Sequence, residues 1–179
     1  MFIEMKGQDY IDSSRKYLDY LEEHLNNVAR AFQEVSEACE GMAWVGDDYT
    51  WHTLKREVEY HDVSKFTKEE FTQYRDKFFT VEPQHDYSEI DMNFNRAWEN
   101  HKRQNNHHWE TIRYIEGKPG LTENDVVHMV VDWTAMGYKF CDTAKQYYEN
   151  NGLTIKLSYK TVEFMYEIFD RLEKYNKEG

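Results

Sequence analysis

The stretch Tyr60-His61-Asp62-Val63-Ser64-Lys65-Phe66 sets an imidazole beside a carboxylate at the C-terminal end of a helix-periodic segment. A nitrogen donor and an anionic oxygen donor so placed can both reach one divalent cation, and such ions favour this mixture of ligands. Since a His-Asp dipeptide arises often by chance, its weight comes from its company. His24, in Glu22-Glu23-His24-Leu25, is flush with an apolar stripe and is expected to point inward. Asp132 interrupts Val130-Val131-Asp132-Trp133, where a carboxylate is costly to bury unless a cation, a proton or hydrogen bonds compensate it. His128 lies four residues earlier, on the same helix face. His101 follows Trp98-Glu99-Asn100, and the pair His107-His108 stands in Asn105-Asn106-His107-His108-Trp109-Glu110. Of the remaining histidines, His52 is nine residues before His61 and so falls on the opposite side of one helix. His85, beside Pro83, is expected on a surface loop.

Elements that would position these residues follow from apolar spacing and sparse punctuation. Leu18, Leu21, Leu25, Val28, Phe32 and Val35 recur at three- and four-residue steps and predict a helix from about Asp9 to Cys39. A second helix, capped by Asp47 or Asp48, carries Trp51, Leu54, Val58 and His61. Thr67-Lys68-Glu69-Glu70 fits a capping box for a third, which presents Phe71, Tyr74 and Phe78. Glu69-Glu70, like Glu22-Glu23, then reads as solvated or capping charge without chemistry. A loop at Pro83 to Asp86 precedes a helix from about Ser88 to Gln104, and Gly117-Lys118-Pro119-Gly120 is the clearest break. Thr122-Glu123-Asn124-Asp125 caps an apolar helix running through Val126 to Trp133. A last helix spans about Ser158 to Lys174. The expectation is one all-α domain over residues 1–179, a bundle of about six helices.

Composition agrees and narrows the function. Only 8 Gly and 2 Pro among 179 residues, with 16% aromatic residues, exclude collagen-like, low-complexity and disordered classes. A net charge of −12 argues against bulk nucleic-acid binding and against docking on an anionic membrane surface. A small anionic substrate requires a metal ion or local cations to reverse the field in a pocket. Cys39 and Cys141 are too few for a disulfide scaffold. With no signal-like start and no membrane-length apolar run, the expected compartment is the cytoplasm.

The ordered set of a helical His, an adjacent His-Asp pair, further histidines and a distant Asp resembles the HD-domain superfamily of metal-dependent phosphohydrolases. His61-Asp62-Val63-Ser64-Lys65 is similar to the His-Asp-hydrophobe-small-Lys form of many members. Most of the chain also resembles a bacterial and phage family known only as a domain of unknown function. The shared stretches are His-Asp-x-Ser-Lys-Phe, Asn-x-x-His-His-Trp and His-Met-x-x-Asp-Trp. The Gly-Tyr-Pro element of the cyclic-dinucleotide branch is absent.

The superfamily resemblance implies an HD-like helical domain in which His24, His61, Asp62 and Asp132 hold a divalent ion (Mn, Fe, Co, Ni, Zn or Mg). His101, His107 and His108 would complete a second ion site or supply acid–base catalysis, with Asp62, His101 and Lys65 at the reacting centre. Such an ion lowers the pKa of bound water toward ~7 and neutralises phosphoryl charge. Lys65, three residues past Asp62, and Lys139, seven past Asp132, could hold phosphate oxygens; His128 is a supporting residue or a further substrate contact. The expected activity is hydrolysis of a nucleotide or similar small phosphoester. The alternative is a non-catalytic metal- or nucleotide-binding module, or an accessory protein of a mobile element, with the same fold.

Overall fold

A computed structural model describes residues 7–80, 87–110, 114–115 and 118–178. The architecture is all-helical, as expected, apart from a two-residue antiparallel ladder of Tyr114–Ile115 with Lys118–Pro119. Among the described residues there are eight α-helices rather than about six: α1 (Gly7–Ala38), α2 (Ala43–Gly46), α3 (Asp48–Glu59), α4 (Phe71–Phe78), α5 (Tyr87–Gln104), α6 (Glu123–Phe140), α7 (Ala144–Asn151) and α8 (Tyr159–Glu178). A 3-10 turn, Val63–Phe66, lies between α3 and α4. The loop expected at Pro83 to Asp86, with His85, lies outside the described residues.

The chain divides into two compact units. Met1–Glu23 with Asp62–Asn105 forms the first, and His24–His61 with Asn106–Gly179 the second. The opening turns of α1 belong to the first unit and its remainder to the second.

In the first unit the core is aromatic. Tyr17, Leu21, Tyr74 and Ala97 are buried, with Phe71, Phe79, Phe94 and Trp98 packed against them. The Tyr17 ring lies 5.0 Å from Phe71 and 5.3 Å from Phe79. Leu18, assigned to the inward stripe, is exposed instead, as is Phe78. α4 begins at Phe71 with Glu70 as N-cap and no side-chain cap bond. The capping box read from Thr67 and Glu70 does not form. The Thr67 hydroxyl donates to the Ser64 carbonyl at 2.7 Å, and Glu70 is buried among other partners.

The second unit is built on α6. Val126, Val127, Met129, Val130 and Val131 are buried there, against Val28 and Val35 of α1, Leu54 of α3, and Met165, Ile168 and Phe169 of α8. The expected cap forms as a full capping box: Thr122 accepts from the Asp125 N–H and the Asp125 carboxylate accepts from the Thr122 N–H. Asp47 caps α3 by accepting from the Thr50 N–H at 2.7 Å. That helix ends at Glu59, so His61 sits in the turn just beyond rather than on the helix.

Both cysteines are free. Cys39 is fully buried, and burial pushes its thiol up to about 12, whereas Cys141 is exposed. Since the thiolate is the reactive form, a disulfide reagent at pH 8 is expected to titrate one thiol in the native protein and two in denaturant. Two fast native thiols would contradict the packing around Cys39.

Candidate metal centre

Three side chains distant in sequence meet in the second unit. His24 comes from α1, His61 from the turn after α3, and Asp132 from α6. His24 Nε2 and His61 Nε2 are 3.0 Å apart, and Asp132 Oδ1 stands 3.4 Å from the first and 3.6 Å from the second. These three atoms form a triangle with a circumradius of about 1.9 Å, so one ion just off its plane would be about 2.1 Å from each, a normal ligand distance. Two imidazole nitrogens and one carboxylate oxygen are also the donors preferred by mid-row divalent metals; magnesium favours oxygen alone. The donor set and its spacing therefore fit a cation.

Other histidines crowd the same corner. His61 Nδ1 shares a hydrogen bond with His128 Nε2 at 2.9 Å. His107 stacks on His61 with centroids 4.4 Å apart, lies 4.5 Å from His128, and touches His108 at 4.3 Å. One donor atom each from His61, His107 and His128 falls within 4.8 Å of the other two. His128 and Asp132 thus converge on His61 from one face of α6, as their four-residue spacing predicts.

A second polar cluster belongs to the first unit, and its hub is Glu70. This carboxylate is 0% exposed. It accepts from Ser64 Oγ at 2.9 Å, from Asn100 Nδ2 at 2.8 Å and from His101 Nδ1 at 2.9 Å. The other nitrogen of His101 is 3.2 Å from Asp62 Oδ1, and Lys65 Nζ donates to Asp62 Oδ2 at 2.6 Å. Asn105 donates to Ser64 and to the His101 carbonyl, both at 2.8 Å. Two buried carboxylates are matched by an ammonium and an imidazole, which is how buried charge is tolerated. The reading of Glu70 as a solvated charge is therefore corrected. Tyr17 and Tyr74 line this cluster, and burial, reinforced by the charges of Asp62 and Glu70, pushes both phenols far above their ordinary range.

Asp62 has left-handed backbone angles, φ 57° and ψ 15°. Non-glycine residues seldom adopt this conformation, Asp and Asn more readily than others, and such strain gathers at functional sites. Each member of the quartet expected from sequence has its own partners. His24, His61 and Asp132 meet in the second unit, with His107, His108 and His128 nearby, while Asp62, Lys65 and His101 form a hydrogen-bonded group in the first. Trp98 stacks on His101 at 5.6 Å, Trp109 packs against the second unit's core, and Trp133 is buried within it. Lys139 and His52 are exposed.

Burial alone would lower the pKa of His101, but its hydrogen bonds to Asp62 and Glu70 outweigh that and raise it. A raised folded-state pKa adds stability that is fully present below the unfolded value, about 6.5, and is lost as pH rises through the folded value. Urea unfolding from pH 6 upward is thus expected to show a declining contribution in the wild type that His101→Gln removes. Parallel pH curves for the two proteins would contradict it.

The chain is an all-helical protein whose clustered histidine and carboxylate donors could hold a metal ion. The chain belongs to the family described as "Family of unknown function (DUF5662)", which it matches over residues 13–171. No curated protein and no solved structure matches it. None of the helices among the described residues is long and apolar enough to cross a membrane.

Proposed function

We propose that this chain is a metal-dependent phosphohydrolase acting on a nucleotide or a similar small phosphoester, with His24, His61 and Asp132 as ligands of one divalent ion. The observation that supports it most is the triangle of His24 Nε2, His61 Nε2 and Asp132 Oδ1 with sides of 3.0 to 3.6 Å. Three donors from three separate elements present their ligating atoms to one point, in contacts that an ion or a shared proton can hold together. When bound, such an ion makes water acidic enough to act as a nucleophile near neutral pH and offsets phosphoryl charge. The nitrogen-rich donor set favours Mn, Fe, Co, Ni or Zn over Mg.

The chain's own residues supply the remainder. Asp132 brings the negative charge that keeps a dication bound. His101, hydrogen-bonded at both nitrogens, is suited to pass a proton between oxygen atoms, with Asp62 as its partner. Lys65 neutralises Asp62, and Lys139 is the exposed ammonium for phosphate contact. The likeness to HD-domain enzymes rests on the order of these motifs.

The test has two parts. Protein purified without chelator is expected to carry stoichiometric transition metal by mass spectrometry. Incubation with nucleoside mono-, di- and triphosphates plus Mn, Co or Ni is expected to release phosphate or nucleoside. Metal with ligand-dependent thermal shifts but no product would favour the non-catalytic binding module. A stable, metal-free protein without turnover would refute both.

A further inference from the structure

We propose that His128 is the positioning residue that keeps His61 Nε2 unprotonated, with its lone pair aimed at the cation position. The proposal rests on the metal reading above. A neutral imidazole has one N–H and one lone pair. His61 Nε2 is a vertex of the donor triangle, so it can ligate only if the ring proton is on Nδ1. That atom is 2.9 Å from His128 Nε2, and both side chains are buried. His128 Nε2 therefore accepts from His61 Nδ1–H and fixes the tautomer that ligation needs. Partners of this kind orient ligating histidines and set which nitrogen meets the metal.

Two further features make the brace rigid. His107 stacks on the His61 ring at 4.4 Å and 27°, which resists a ring flip that would exchange the two nitrogens. Asp132 and His128 stand four residues apart on α6, so one helix carries both a ligand and the support of its neighbouring ligand. The choice of acceptor also has an electrostatic consequence. Ligating histidines are often held by a carboxylate or a carbonyl. A carboxylate here would add a second negative charge behind the triangle. A neutral imidazole adds none, which leaves more of a bound dication's positive charge to attract a phosphoester.

Glutamine can place an acceptor oxygen near the position of His128 Nε2, whereas phenylalanine fills the space without one. Long-range 1H–15N NMR on chelator-stripped protein reads the His61 tautomer directly, and zinc titration against a competing chelator reads affinity. In the wild type and in His128→Gln, His61 is expected to carry its proton on Nδ1, with zinc affinities within about threefold of each other. His128→Phe is expected to mix the tautomers and weaken zinc binding by about ten- to a hundredfold. Three results would overturn the proposal: an Nε2-protonated His61 in stripped wild type, an unchanged His128→Phe, or a His128→Gln that falls as far as His128→Phe. The last would make His128 itself a ligand. A wild type that binds no zinc, yet loses its Nδ1–H preference in His128→Phe, would sink the metal reading and leave the brace standing.

Discussion

His61→Ala is expected to yield protein without stoichiometric metal, under purification that leaves the wild type loaded. His61 is 1% exposed, and its Nε2 faces His24 at 3.0 Å and Asp132 at 3.6 Å. Removing it deletes a vertex of the triangle and also the partner of His128. The expected loss of affinity is about a thousandfold or more, beyond the ten- to hundredfold typical of removing a supporting residue. A second signature is thermodynamic. An ion present at about a thousand times its Kd stabilises the folded state by ~4 kcal/mol; the wild type should lose that increment on chelation, and the variant should have none to lose. Asp132→Asn, nearly isosteric, separates metal loss from any cavity left by the missing ring. Retention of one equivalent of metal by both variants would remove the basis of the proposed function.

Glu70→Ala carries the other large effect, and its expected readout is stability. The carboxylate accepts from Ser64, Asn100 and His101. Truncation leaves an imidazole between one carboxylate and a void, with two further donors unsatisfied. Removing one partner of a buried charged pair costs about 3–5 kcal/mol, against total stabilities of about 5–15 kcal/mol. Equilibrium urea unfolding should show that fall in Glu70→Ala and a smaller one in Glu70→Gln, which preserves shape and some hydrogen bonding. A loss below about 1 kcal/mol would mean that Glu70 is not the hub its contacts describe.

The contrast between Thr122 and Thr67 shows what was legible in the sequence. Both are followed three residues later by an acidic side chain and both read as helix starts, Thr67 with a capping box. At Thr122 the box forms, because its bonds are local. At Thr67 the carboxylate of Glu70 is drawn to Asn100 and His101, some thirty residues away, and tertiary partners outweigh the cap. α7 escaped notice because Ala144–Asn151 is polar, with no apolar stripe, and is started by the local pair Thr143 and Gln146. α2 is a single four-residue turn, too short for any period.

The site was legible to a similar degree. His24, His61 and Asp132 stood out because polar residues on apolar faces conflict with their surroundings unless something compensates them. His128 could be placed by its spacing from Asp132. Glu70 could not, since an acidic pair in a charged stretch has the pattern of a wetted surface. Nor does any periodicity reveal the left-handed backbone of Asp62, which depends on how the chain turns from α3 into the 3-10 segment.

The side chain of Asp132 is 15% exposed, against 4% for His24 and 0% for His61. The carboxylate is thus the most open of the three, so an ion bound as proposed would meet it before the nitrogens. An ion would shed its water shell at an anionic doorway before reaching nitrogen, and would leave by the same route.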